Sequence, residues 1–178
     1  MSNTFIMWAG FVLPWFTLVF MKKEDIKRLM PVAVFATLTS IIAYDVGLRV
    51  GLWTARETYY PFTNLLPFMF GLNPVITMWI IKITYGRFGF YMLANIISDI
   101  GFSFFFLGYF LPRRGIMDLN TTPTIVLLTL LVHAVILYGY QMWQESVLLS
   151  PSRDNNFSLH PAATKPIQQN NDKQKNEK

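Results

Sequence analysis

The segment from Gly89 to Leu111, GFYMLANIISDIGFSFFFLGYFL, is long and apolar enough to span a bilayer and carries a single carboxylate, Asp99, at its midpoint. A charge at that depth costs roughly 2.5–3.5 kcal/mol on insertion scales, whereas each of the twelve Leu, Ile and Phe residues contributes about 0.3–0.6 kcal/mol in favour of insertion. The helix therefore inserts, and it must turn its polar side toward other helices. Asn95, Asp99 and Ser103 fall at i, i+4 and i+8 with Ser98 beside them, so the polar groups share one face.

Four more apolar runs make the chain an all-α integral membrane bundle of five transmembrane helices, at about residues 4–21, 31–53, 67–85, 89–111 and 123–144 of a single domain, 1–145. The first run has no positive charge before it, the basic cluster Lys22, Lys23, Lys27 and Arg28 after it, and no small-residue cleavage site. It reads as a retained helix kinked at Pro14 rather than a signal peptide. The second run opens at Pro31 and carries Asp45 and Arg49 at i, i+4, an interfacial ion pair with Arg49 extending toward the headgroups. Thr54 to Leu66 follows as an aromatic-rich interfacial loop.

In the third run the Asn73-Pro74 step predicts a break or kink, and Lys82 predicts an interfacial anchor beside Tyr85 and Arg87. Gly86-Arg87-Phe88 leaves room only for a tight turn, so the third and fourth helices form an antiparallel hairpin. Lys82 then lies level with about Asn95, roughly 6 Å in depth from Asp99 at 1.5 Å rise per residue, within reach of an extended lysine. Because the lysine has an easier route to the interface, the expected arrangement is a neutral, hydrogen-bonding Asp99 rather than a buried pair with Lys82. The fifth run is centred on His133. With Thr129, Tyr140 and Gln144 it makes a second polar stripe able to meet Asp99, and a lone histidine in such a bundle is more often a packing residue than a proton carrier.

Residues 146–178 hold eight Asn or Gln, three Pro, five basic and three acidic residues, a composition that predicts a disordered tail. With no cysteine and two histidines, disulfides, thiolate sites and a catalytic metal centre are excluded or improbable. No phosphate loop, HExxH, nucleophile elbow or paired carboxylate indicates a catalytic residue or a cofactor. The net charge of +5 lies at helix ends and in the tail, which argues against nucleic acid. If the N-terminus is outside, eleven of the fifteen Lys and Arg residues fall inside, with Arg49, Arg56, Arg113 and Arg114 outside.

Several motifs together resemble a family of small, uncharacterised multi-pass membrane proteins of endospore-forming Gram-positive bacteria. They are Leu13-Pro14-Trp15, the basic cluster before Pro31-Val32, Pro74-Val75, Trp79-Ile80, Thr84-Tyr85-Gly86 with Phe88, Asn95 with Asp99, and Tyr138-Gly139-Tyr140-Gln141. The resemblance covers about residues 5–145 and implies a plasma-membrane protein without assigning any activity. On these grounds the leading expectation is a non-enzymatic protein acting through packing and contact with the bilayer, a membrane-protein partner or a second copy, with Asp99, Asn95 and His133 as interhelical polar bonds. A small carrier or proton-linked permease using Asp99 with Lys82 or His133 is the alternative, and an intramembrane enzyme on a lipid comes third.

Overall fold

The computed structural model describes residues 2–62 and 65–148. Among these residues five helical spans are long and apolar enough to cross a membrane, at Asn3–Phe20, Lys23–Val50, Pro67–Thr84, Phe88–Arg113 and Pro123–Val147. Their outer surfaces are covered by large apolar side chains, among them Phe16, Phe20, Val34, Phe90, Ile97 and Val132, which suits a bundle solvated by lipid tails.

Helix α1 (Asn3–Phe16) carries Pro14 and tightens directly after it into a 3-10 turn, Thr17–Phe20. Thr17 Oγ1 donates 2.6 Å to the Pro14 carbonyl at this junction. Helix α2 (Lys23–Val50) starts before Pro31, which lies inside it. Glu24 and Asp25 in its first turn complement the helix dipole, so the helix begins in the polar layer rather than at the first apolar residue. It ends at Gly51 with φ of 81°, where Leu52 N donates 2.8 Å to Gly47 O in the usual left-handed cap.

The third span is broken at Gly71, two residues before the predicted step. Pro67–Phe70 forms a 3-10 turn and α3 runs Leu72–Thr84. The backbone of Phe11 in α1 occupies the place a Cβ at residue 71 would need, so the crossing admits only glycine there. Pro74 sits in the first turn of α3, where its missing N–H has no helical partner to lose. Helix α4 (Phe88–Ile100) widens into a π-helical stretch, Gly101–Phe110, and closes with the turn Leu111–Arg113. Helix α5 runs Pro123–Leu148, so Ser146 to Leu148 extend the last helix instead of opening the tail. The rest of the tail, 149–178, lies outside the described residues.

The connections that follow α2 and α4 are tied together. Trp53–Ala55 (β1) pairs antiparallel with Met117–Leu119 (β2), Trp53 opposite Leu119, and the Arg56 and Asp118 side chains pair beside the ladder. Three-residue strands leave too little alternation to be read from sequence. Helices α2, α3, α4 and α5 pack in succession and α5 returns to α2, while α1 lies outside this ring against α3 and the Pro67–Phe70 turn. Two apolar clusters fill the ring. One, with Leu29, Ala33, Met78 and Tyr91, lies toward the α3–α4 hairpin; the other, with Tyr44, Phe68, Leu107 and Met117, lies under the β1–β2 cap.

Candidate functional site: an intramembrane cavity

A cavity of about 580 Å³ separates the two clusters, bounded by Tyr44, Phe68, Leu107 and Met117 from one and by Ala134 and Leu137 from the other. Its walls are mostly apolar, and its polar groups come from all four ring helices: Thr39 and Ser40 of α2, Asn73 of α3, Asn95, Ser98 and Asp99 of α4, and Thr129 and His133 of α5. Val46 of α2 and Ile125, Val132 and Ile136 of α5 line it and are also exposed on the outside of the bundle. The wall between α2 and α5 is therefore open at this level, toward lipid.

Each polar side chain has a definite bonding state. The Thr39 hydroxyl lies 2.8 Å from Phe35 O and 3.1 Å from Ala36 O of its own helix. Thr39 Oγ1 also lies 2.6 Å from His133 Nε2, a hydrogen bond between α2 and α5 whose donor is set by the imidazole tautomer. Asn73 Nδ2 donates to Ser40 Oγ at 2.8 Å and is 3.5 Å from Ala36 O; Asn95 Nδ2 donates 2.8 Å to Tyr91 O. Their backbone partners orient both amides, leaving each carbonyl oxygen uncommitted to those bonds. Asp99 Oδ2 is buried and has no hydrogen-bond partner.

Of the sequence-predicted residues, Asp99, Asn95 and His133 meet in the cavity. His133 alone forms the expected bond between helices, since Asn95 bonds within α4. Ser103 leaves the shared face and donates 3.1 Å to Pro123 O, where α4 and α5 approach closely at Gly108. Lys82 is elsewhere, 3.3 Å from Asp25 and 5.2 Å from the Trp79 ring centroid. Asp45 and Arg49 pair at 2.8 Å on the exposed side of α2. Among the described residues no group of three or more His, Asp or Glu is placed to hold a metal ion.

Two polar clusters went unread in the sequence. At the hairpin end, Glu145 is buried and accepts from Tyr85 Oη and from Gln141 Nε2, both at 2.6 Å, with Arg28 Nε 3.7 Å away. The Glu145 bond, together with partial burial, raises the Tyr85 hydroxyl above its ordinary pKa. At the capped end, Trp53 fills the space over Gly47, donates 3.0 Å to Tyr44 O and forms part of the cavity wall. Beside it Tyr59 donates 2.6 Å to Glu57, and burial first and that bond second push its pKa up. The Asn73-Pro74 step carries a signal for the cavity, because Asn73 bonds to α2 through its side chain as well as preceding the proline. The chain matches no protein family, no curated protein and no solved structure, so its function has to be read from this geometry.

Proposed function

We propose that the protein holds a small molecule within the bilayer, as a carrier or ligand-binding membrane protein, through the cavity around Asp99. The observation that carries this reading is a cavity of about 580 Å³ whose lining includes Asp99, a carboxylate with one buried oxygen that has no hydrogen-bond partner, among polar groups from four helices. Pockets that bind drug-sized ligands run about 300–1,000 Å³, mostly apolar with a few placed polar groups. A bundle whose polar residues served only to join helices would have satisfied Asp99 across an interface, because a buried polar group left unpaired costs about 1–3 kcal/mol. Catalysis has less support: Thr39 and His133 bring a hydroxyl and an imidazole within 2.6 Å in the cavity, but among the described residues no carboxylate bonds to that imidazole to orient it as a base. The basic residue count favours the plasma membrane with the N-terminus outside and the C-terminus in the cytoplasm, and the resemblance in residues 5–145 favours a Gram-positive cell.

The absence of native cysteine permits a direct test. Ser98→Cys in the cavity should react with a small methanethiosulfonate reagent far faster than Ala36→Cys, which is fully buried in the packed cluster. Filling the cavity with Ala43→Phe should slow the Ser98→Cys reaction. Equal, slow labelling of the two cysteines would remove the cavity and this reading with it.

A further inference from the structure

We propose, resting on the reading of the cavity as a ligand site, that the ligand is an apolar monocation, an amine or onium ion, that takes the place of a proton on Asp99. Five observations converge on that chemistry. The cavity has a carboxylate in its wall, Asp99, whose buried Oδ2 is bonded by no donor of the protein, and the amide nitrogens of Asn73 and Asn95 are already bonded. It offers no cation of its own, since no Lys or Arg lines it. The nearby cations are engaged elsewhere: Lys82 with Asp25, Arg28 with Glu145, Arg49 with Asp45 and Arg56 with Asp118. The aromatic side chains of Trp53, Phe68 and Phe102 line the same space and favour an organic cation over a hydrated ion. Finally, the gap between α2 and α5 opens toward lipid, the phase in which such a molecule concentrates.

The charge balance is one for one. A carboxylate inside a bilayer is tolerated only when paired or protonated, so the cavity stays neutral with either one proton or one organic cation on Asp99. Binding of the cation releases that proton to water. A neutral lipid hydroxyl would leave the proton on Asp99 and release none to water, and an anion is repelled. The other titratable groups around Asp99 are His133 and Tyr138 of α5, Tyr44 of α2 and Tyr91 of α4 itself; α3 contributes no titratable residue to the cavity wall.

The test uses two probes of the same shape and opposite charge, tetraphenylphosphonium and tetraphenylborate, with the full-length protein in a neutral detergent. Tetraphenylphosphonium should bind and tetraphenylborate should not. Lowering the pH should weaken phosphonium binding by about tenfold per pH unit once the proton prevails, with one proton released per cation bound in that range. Asp99→Glu and His133→Gln should keep this pH dependence and Asp99→Asn should lose it. Should Asp99→Asn not fold, the wild-type titration and the Asp99→Glu and His133→Gln variants still decide the matter. Equal binding of both probes, phosphonium binding independent of pH, or a pH dependence abolished by His133→Gln would each overturn the assignment. If neither probe binds while Ser98→Cys labels rapidly, the cation class falls and the cavity stands; slow labelling of Ser98→Cys removes both.

Discussion

Replacing Glu145 with alanine should destabilise the bundle by about 3–4 kcal/mol, and the loss should come from hydrogen bonds rather than from an ion pair. Bonds to a charged acceptor are worth roughly 1.5–3 kcal/mol each. Tyr85 is 45% exposed and can turn its hydroxyl to water, so its bond belongs at about the lower limit of that range. Gln141 is 2% exposed and its amide has nowhere to turn, which puts its loss at about 2 kcal/mol or more. Arg28 stands 3.7 Å away, beyond hydrogen-bond distance, with its side chain 37% exposed, and such a pair contributes less than about 1 kcal/mol. Unfolding of Glu145→Ala, Gln141→Ala, Arg28→Ala and the two doubles, followed in mixed micelles, yields both coupling energies. The Glu145–Gln141 coupling should be about twice the Glu145–Arg28 coupling or more. A larger coupling to Arg28 would refute the reasoning and make the cluster an ion pair.

Gly71→Ala should cost about 1–3 kcal/mol, because its Cβ meets the Phe11 backbone, whereas Gly139→Ala in open space on α5 should be neutral or stabilising; thermal unfolding in detergent compares them. Because the Glu145 bond holds the Tyr85 proton more tightly in the fold than in the unfolded chain, that stabilisation is whole below the ordinary tyrosine value of about 10 and is lost as pH rises through the higher folded value. Tyr85→Phe should therefore flatten the fall in stability at alkaline pH, and an unchanged fall would show that Tyr85 does not cause it. With the N-terminus outside, single cysteines at Ser2 and Asn64 should be labelled by an impermeant thiol reagent on intact cells and one at Ser152 should not. Labelling of Ser152 alone reverses the orientation.

The spans were legible because hydropathy over some twenty residues is a strong signal, and so was the polar face of α4, because helical spacing placed Asn95 and Asp99 together before any packing was known. The partners of that face were less accessible. Thr39 and Ser40 look like ordinary small polar residues in an apolar helix, and only the rotation of α2 brings them to His133 and Asn73. Lys82 shows the limit of depth arithmetic: the hairpin puts it near the level of Asn95, but its side chain runs the other way, to Asp25. Glu145 was passed over because it falls one residue beyond the apolar run, and hydropathy does not distinguish a helix that stops at the interface from one that continues through a polar network. The β1–β2 ladder escaped for a related reason, as three residues per strand carry no readable period.

That ladder makes the two ends of the bundle mechanically unequal. It binds the exit of α2 to the approach of α5 by backbone bonds, which must be broken together, whereas at the opposite end α2 and α5 are joined by the side chains of Arg28, Gln144 and Glu145, which can exchange partners with water one at a time. A force that spreads α2 from α5 accordingly pivots at the ladder, and the gap widens most at the far end, as in a clothes-peg. The cavity around Asp99 lies between these two ends, and no residue of the Glu145 cluster lines it.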